Sequence, residues 1–318
     1  MGVESISKNV DIIVPCYNEE QNIDSFIHAI LQLAIDVNFR IIFIDDGSLD
    51  NTWLKIQECM ALSGIVPVSG IKLSRNFGKE AAIFAGLSSM KADACIIIDA
   101  DLQHPPEKLS EMIAIWEYEQ VDVVEGIKSH RGKENLIYKG FSKLFYSVMG
   151  EFQTQGASDF QLLDAKVVQQ LIELPERQRF FRALSKWVGF NRKIVYYDVQ
   201  ARVHGQSNFN FWSSFKYAIK NITSFNAFPM QMVTILGLLF FMGSSILGGI
   251  ALSQFLLGYA VEGFTTVILL LLIIGSVIMF SLGIIGYYIG KIYEEIKQRP
   301  IYIVQDRIDA QPTSRRCT

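Results

Sequence analysis

The sequence lacks several signals that would assign a function directly. Its four cysteines, Cys16, Cys59, Cys95 and Cys317, have neither metal-ligand spacing nor a paired framework, which predicts reduced thiols in a reducing compartment. There is no G-x-G-x-x-G segment and no P-loop lysine, so dinucleotide binding and ATP hydrolysis lose support. The formal net charge of only −3 gives no sign of nucleic-acid binding.

Charge is also missing from one part of the chain. No charged residue lies between Lys220 and Glu262, and none lies between Glu262 and Lys291. Each run is longer than the roughly 20 residues that cross a hydrocarbon core. We therefore predict two transmembrane helices within residues 231–290, at about 233–257 and about 264–289.

The flanks of these runs predict an orientation. The N-terminus has an acid where a signal peptide is basic, so the large polar part should stay in the cytosol. The connection between the two runs has no Lys or Arg, whereas basic residues flank the outer ends: Lys216, Lys220, Lys291, Lys297 and Arg299. Positive-inside bias then predicts an integral membrane protein whose polar domain and both termini are cytoplasmic.

Two segments border the apolar runs. Phe and Trp recur at helical spacing within residues 209–230, which favours an amphipathic helix lying in the headgroup plane, with a buried packing helix as the alternative. The cytosolic tail, residues 291–318, contains a short strand-like run. Its partner is either the polar domain or another subunit, and the sequence does not choose.

The first 208 residues alternate β-favouring runs with helical patterns. The runs are Val10 to Val14, Arg40 to Ile44, Ile65 to Leu73, Cys95 to Ile98 and Val121 to Val124. This order predicts an α/β fold with a mainly parallel sheet. Carboxyl ends of parallel strands meet at one edge, so we expect one crevice to collect the polar residues that follow the strands: Tyr17, Glu19, Asp46, Asn76 and Asp101.

Two carboxylates follow the fourth run. If Asp99 and Asp101 are extended, their side chains point the same way, and a divalent cation would relieve their repulsion. With Gln103, the all-oxygen donor set suits Mg²⁺ or Mn²⁺. The alternatives are ordinary: a solvated turn or an N-cap for the acids, turn and cap roles for Asp45, Asp46 and Ser48, and an exposed helix position for Lys79.

Five segments in order resemble a known family. They are PCYNEE at 15–20, DDGSLDNT at 45–52, LSRNFGKEAAI at 73–83, DADLQHPPE at 99–107 and SDFQLLD at 158–164. Together they resemble the inverting family 2 glycosyltransferases of GT-A fold. Within that family the chain is similar to the polyprenyl-phosphate hexose transferases, the group of dolichol-phosphate mannose synthase and bacterial bactoprenol glucosyltransferase. The likeness covers about residues 8–230.

The resemblance implies a role for individual positions. The nucleotide-sugar site would comprise Pro15, Tyr17, Asn18, Glu19, Asp46, Gly47, Ser48, Arg75, Asn76, Lys79 and Arg202. Asp99, Asp101 and Gln103 would hold the metal and diphosphate, with Asp101 and Gln103 the more direct ligands. Lys128 and Arg131 would hold the acceptor phosphate, and Asp159 would serve as base or position the acceptor.

Two positions depart from the family pattern. Lys128 stands where members usually have arginine, which keeps the charge but loses a bidentate fork, and Asn208 replaces a common lysine. The segment ERQRFFRAL at 176–184 lacks the Gln-x-x-Arg-Trp motif of processive synthases, which favours single transfer. Its arginines, Arg177, Arg179 and Arg182, suit either a solvated helix face or a place near the acceptor phosphate or headgroups.

The resemblance implies a metal-dependent transfer of one hexose. The expected reaction moves glucose from UDP-glucose to undecaprenyl phosphate with inversion, and a phosphate dianion needs no general base to attack. GDP-mannose or another sugar is the alternative donor within the enzyme class. A membrane scaffold or lipid-linked sugar carrier is the alternative outside it. Expected partners are a nucleotide sugar, a polyprenyl phosphate and the bilayer, with a homo-oligomer as an option.

Overall fold

The computed structural model describes residues 8–33, 35, 37–61, 66–129, 157–177, 179–200, 228–258 and 263–309. Two compact units divide the chain. The first comprises residues 1–146, 150–209 and 299–318, and the second comprises residues 147–149 and 210–298. Arg131, Arg202, Asn208, Cys317 and the amphipathic segment up to residue 227 lie outside the described residues.

The first unit is built on one eight-stranded sheet in the described part of the chain, with strand order β7-β5-β6-β4-β1-β2-β3-β8. The strands are β1 (Asn9–Cys16), β2 (Asn38–Asp45), β3 (Val68–Leu73), β4 (Ala94–Ile97), β5 (Val123–Lys128), β6 (Ala157–Asp164), β7 (Arg192–Tyr197) and β8 (Val304–Ile308). The helices between them are α1 (Ile23–Leu31), α2 (Thr52–Ala61), α3 (Lys79–Leu87), α4 (Lys108–Glu119), α5 (Ala165–Glu173) and α6 (Phe181–Trp187).

Parallel pairing joins the four central strands. β1 lies between β2 and β4, and β3 extends the parallel set beyond β2. These strands are buried on both faces because helices cover them, which explains why they appear in the sequence as continuous apolar runs. Helix α3 packs on β1 so closely that a Cβ on Gly86 would lie 2.3 Å from Cγ2 of Ile13. The predicted α/β fold with a mostly parallel sheet is confirmed.

Antiparallel strands complete the sheet on both sides. β6 pairs antiparallel with β4 and β5, and β7 is parallel to β5. On the other edge, β8 of the C-terminal tail pairs antiparallel with β3, and the backbone N–H of Ser74 donates to the carbonyl of Ile303 at 2.9 Å. The tail strand therefore pairs with the polar domain, the first of its two predicted partners.

Buried thiols fill part of the core of the first unit. The described cysteines, Cys16, Cys59 and Cys95, are all buried and unpaired. Burial raises the pKa of Cys16 and Cys95 well above the usual thiol value. They act as small apolar core residues.

The second unit contains two long helices, α7 (Phe228–Leu256) and α8 (Phe264–Ile296). They cover the predicted span 264–289 and all but the last residue of the predicted span 233–257. Of the described residues, one stretch, 273–296, is long and apolar enough to cross a membrane, and the apolar stretch 235–247 in α7 is shorter. The two helices are present, whereas two membrane crossings stay a prediction.

Candidate active site

The loops after β1 and β2 are tied together at the carboxyl edge of the sheet. The backbone N–H of Asn18 donates to Oγ of Ser48 at 2.9 Å, and the N–H of Leu49 donates to Oδ1 of Asn18 at 2.9 Å. The N–H of Glu19 donates to Oγ1 of Thr52 at 2.8 Å. Asn18 has a φ of 56°, a left-handed conformation that asparagine tolerates. The predicted nucleoside segment thus has a fixed backbone.

Asp46 ties the loop after β3 to the same edge. Its two carboxylate oxygens accept the backbone N–H groups of Phe77 and Gly78, each at 2.8 Å. Burial raises the pKa of Asp46, and the two N–H donors act in the opposite direction. In this arrangement Asp46 shapes the loop that carries Arg75 and Asn76. The predicted contact between Asp46 and a nucleotide stays a prediction.

Gly47 allows these two loops to meet. Its φ is +67°, and a Cβ there would lie 2.4 Å from the carbonyl carbon of Arg75. No side chain fits at that distance, so the glycine is required by both backbone conformation and space. The guanidinium of Arg75 lies 4.5 Å from the ring centre of Phe77, and Tyr17 is 42% exposed at the same edge. Pro15 pairs with Ile44 inside the sheet.

An ionic cluster lies where α3, β4, β6 and α6 meet. Nζ of Lys79 lies 2.7 Å from Oδ1 of Asp99 and 2.8 Å from Oδ2 of Asp159. Arg182 holds Asp159 with two parallel bonds, 2.6 Å from Nε to Oδ1 and 2.9 Å from Nη2 to Oδ2. The side chain of Asp159 is only 4% exposed. A buried carboxylate therefore joins two cations.

These contacts set the charge of the cluster. Burial favours protonation of Asp159, but Arg182 and Lys79 outweigh it and hold the pKa of Asp159 well below the usual range. Burial likewise disfavours the charged form of Lys79, yet Asp159 and Asp99 raise its pKa above the usual lysine value. The pKa of Asp99 is lowered because Lys79 outweighs its burial. At neutral pH all three side chains are ionised, so Asp159 has little affinity for a proton.

The loop after β4 differs from the extended geometry expected for Asp99 and Asp101. β4 ends at Ile97, Ala100 and Asp101 lie in a turn, and Leu102 has a φ of 58° in the left-handed region. The alternation of an extended strand therefore does not apply to Asp99 and Asp101, and their convergence on one cation stays a prediction. Asp99 contacts Lys79 with both oxygens, at 2.7 and 2.8 Å, whereas Oδ1 of Asp101 accepts the N–H of Gln103 at 3.2 Å.

This geometry separates Asp99 from the other two predicted metal ligands, Asp101 and Gln103. Lys79 already neutralises both oxygens of Asp99, so Asp99 does not fit as a direct ligand. Within the described ranges, no group of three or more His, Cys, Asp or Glu could hold a metal ion. Mg²⁺ is commonly held by one or two carboxylates together with substrate phosphates, and carboxylate and carbonyl oxygens also suit Mn²⁺. Asp101 and Gln103, both partly exposed, fit that smaller donor set.

His104 is buried and contacts the backbone of the loop after β4. Its ring stacks on Phe160 with centroids 5.1 Å apart and meets Tyr197 edge-on at 5.5 Å. The backbone N–H of Asp99 donates to its Nδ1 at 3.4 Å, which requires that nitrogen to be unprotonated. Burial lowers the pKa of His104, in agreement with a neutral ring.

The predicted acceptor-phosphate cations are only partly described. Lys128 ends β5, and its pKa is lowered by burial and by the neighbouring positive charge of Arg182. It therefore belongs to the same electrostatic environment as the ionic cluster. Arg131 lies outside the described residues.

Two residues of this site carry no specific prediction from the sequence: Arg182 and His104. For the segment that contains Arg182, the sequence offered a place near the acceptor phosphate as one of two alternatives. Its neighbour Arg179 instead donates to the carbonyls of Glu176 and Leu174 at 2.9 and 2.8 Å and stacks on Phe84. No local pattern distinguishes these two arginines.

Comparison with known proteins identifies the family. A family model described as Glycosyl transferase family 2 matches residues 11–167. An uncharacterized glycosyltransferase of Synechocystis sp. is 35% identical over 304 residues, which cover 93% of this chain and 95% of the relative. The chain belongs to glycosyl transferase family 2.

Relatives within the family have a more particular name. The SfII prophage-derived bactoprenol glucosyl transferase of Shigella flexneri is 34% identical over 305 residues, or 93% of this chain and 97% of that protein. The prophage bactoprenol glucosyl transferase homolog of Escherichia coli (strain K12) is 33% identical, covering 93% and 98%. The chain is thus similar to these proteins over nearly its whole length.

Similarity to a solved structure is weaker than similarity to these relatives. The mannosyltransferase PcManGT from Pyrobaculum calidifontis, in complex with GDP-Man and Mn²⁺, is 15% identical, with a TM-score of 0.46 over 63% of this chain and 59% of that one. This overlap is too small to assign a ligand here.

Proposed function

We propose that this glycosyltransferase moves a single hexose, glucose from UDP-glucose, to a polyprenyl phosphate, with inversion at the sugar. The observation that carries the proposal is the ionic cluster at the carboxyl edge of the sheet, where Lys79, Arg182 and Lys128 gather beside Asp99, Asp101 and Asp159. Support for a lipid acceptor comes from the similarity to bactoprenol glucosyl transferases over 93% of the chain.

The cations of the cluster suit a reaction between two anions. The acceptor is a phosphate monoester, and the leaving group is a nucleoside diphosphate, so both substrates need positive charge around the anomeric carbon. Lys128 and Arg131 would hold the acceptor phosphate, and Lys79 and Arg182 lie within the same cluster. Asp159 keeps Lys79 and Arg182 together, each within 2.9 Å of its Oδ2.

Asp159 acts in this proposal as a positioning group rather than a base. Its pKa lies well below the usual range because Arg182 and Lys79 outweigh its burial. The acceptor phosphate, with a second pKa near about 6, is already largely a dianion at neutral pH and can attack without losing a proton. The nucleophile is thus supplied by the substrate.

Asp101 and Gln103 would hold Mg²⁺ or Mn²⁺ on the donor diphosphate. When bound, the metal would neutralise the negative charge that develops on the leaving diphosphate. Asp99 would contribute indirectly, by holding Lys79 at the edge of the same loop.

Helices α7 and α8 would anchor the enzyme at the acceptor's membrane. Large apolar side chains along them are exposed, among them Leu239 at 60%, Leu271 at 64% and Phe280 at 62%. Such a surface is unfavourable in water and favourable in lipid. We propose that both helices cross the bilayer, with the polar domain and both termini in the cytoplasm.

GDP-mannose remains the alternative donor, because recognition of the base and of the sugar hydroxyls is not fixed by the cluster. The test incubates purified full-length protein with undecaprenyl phosphate and labelled UDP-glucose, UDP-GlcNAc or GDP-mannose, and counts label in the lipid extract. We expect label from UDP-glucose. If only GDP-mannose labels the lipid, the donor is GDP-mannose and not UDP-glucose. If no donor labels the lipid, the scaffold or carrier alternative is favoured.

A further inference from the structure

Helix α6, which carries Arg182, depends on a distant residue for its N-terminal cap. Phe180, the residue before the helix, makes no side-chain cap hydrogen bond. The first backbone N–H of the helix, that of Phe181, instead donates to Oε2 of Glu80 at 2.9 Å. Glu80 lies in the first turn of α3, 101 residues earlier in the chain. A carboxylate on one helix thus caps another.

The cap is one link in a closed ring of short contacts. Lys79 and Glu80 are consecutive in α3, and Phe181 and Arg182 are consecutive in α6. Lys79 contacts Asp159 at 2.8 Å, Arg182 contacts Asp159 at 2.6 Å, and Glu80 closes the ring through the Phe181 N–H. Displacement of the start of α6 would therefore draw the guanidinium of Arg182 away from Asp159.

We propose that Glu80 is a positioning residue for glycosyl transfer: it holds the N-terminus of α6 so that Arg182 meets Asp159 beside the substrates. The inference rests on the proposed function and adds a residue that touches no substrate itself. We assign it a geometric role because its hydrogen bond to the start of α6 is made to the backbone N–H of Phe181.

The oxygen atom of Glu80 matters here more than its charge. Burial and the nearby carboxylate of Asp159 raise the pKa of Glu80 to about 7, while Lys79 and Arg182 act in the opposite direction. Near neutral pH the side chain exchanges between carboxylate and carboxylic acid. Either form has an oxygen that accepts the Phe181 N–H. A glutamine has the same acceptor and nearly the same shape, so it should preserve the position of α6.

The experiment compares Glu80→Gln and Glu80→Ala with Arg182→Ala and the double variant Glu80→Ala/Arg182→Ala. The matched control is Glu111→Ala, which removes an exposed glutamate from the first turn of α4. We expect Glu80→Gln and the control to keep kcat within about threefold. Glu80→Ala should lose roughly 10- to 100-fold in kcat, because displacement of a positioning group by about 1 Å has effects of that size. The KM for the donor should change less.

The double variant separates positioning from general loss of structure. If Glu80 acts through Arg182, removing both should cost no more than removing Arg182 alone. The proposal would be overturned if the loss in kcat of the double variant equalled the product of the two single losses. It would also be overturned if Glu80→Gln and Glu80→Ala lost kcat equally.

Amide hydrogen exchange of residues 181–187 in full-length protein gives a readout that needs no activity. We expect protection in the wild type and in Glu80→Gln, and faster exchange in Glu80→Ala. Unchanged exchange in Glu80→Ala would overturn the capping role. If the wild type transfers no sugar but this exchange pattern holds, the proposed function fails while the cap stands.

Discussion

Asp159→Asn tests whether this residue holds two cations together or takes a proton. Lys79 and Arg182 both contact Oδ2 of Asp159, at 2.8 and 2.9 Å, so their nitrogens are at most 5.7 Å apart, the sum of these two distances. An amide removes the negative charge between them, and its NH₂ group cannot accept from either cation.

The structure gives the size of the effect. In the wild type the carboxylate of Asp159 offsets the repulsion between these two cations, which is at least roughly 3 kcal/mol for unit charges at that separation and an effective dielectric constant of about 20. The side chains of Lys79 and Arg182 are 42% and 30% exposed, so solvent reduces the penalty. We expect a loss of about 1–2 kcal/mol in the free energy of unfolding, or roughly 2–8 °C in Tm.

Thermal unfolding in detergent measures this loss, and pyrophosphate should reduce it because an anion replaces the missing charge. Transfer by Asp159→Asn should be slower but still measurable, with an unchanged shape of the pH–rate profile. Glu119→Gln, which removes one partner of an exposed ion pair, is the matched control. Unchanged Tm, or transfer that is abolished and then restored by an added small base such as formate, would refute the positioning role.

Three other perturbations follow from single contacts. Gly47→Ala should cost about 1–3 kcal/mol and raise the KM for the nucleotide sugar, because its Cβ meets Arg75; Gly189→Ala, which has a similar positive φ of 74° but whose Cβ lies 3.9 Å from the nearest atom, should cost less. An equal loss in both would contradict this. Truncation after Gln298 removes β8 and should lower Tm by exposing the edge of β3; an unchanged Tm would show that the strand is dispensable. The raised pKa of Glu80 adds stability that is present below pH about 4.5 and lost as pH rises through about 7. Glu80→Gln should therefore gain Tm relative to the wild type as pH rises from about 4.5 to about 7, and a constant difference over that range would contradict it.

The sequence predicts the central sheet well because its signals are local. Apolar runs followed by polar clusters correspond to β1 to β4, and Lys79 opens α3 as expected. The strand-like tail is also predicted, but its partner is not, since pairing of β8 with β3 joins residues more than 200 positions apart. Long-range pairing leaves no trace in a single strand's pattern.

The candidate site is predicted less completely, for two physical reasons. Alternation fails after β4 because the chain turns at Ala100 and Leu102 is left-handed, so a pattern valid for strands does not extend to their ends. The contacts of Arg182 and Glu80 span 23 and 101 positions, and nothing near either residue predicts its partner.

The most direct test of the account is transfer of labelled glucose to undecaprenyl phosphate by wild type and by Asp101→Ala, each with and without excess EDTA. The account predicts labelled lipid from the wild type with Mg²⁺ or Mn²⁺, and loss of transfer in EDTA and in Asp101→Ala, with unchanged Tm as the check on folding. Full transfer by Asp101→Ala, or by the wild type in EDTA, would contradict a diphosphate held by metal at Asp101.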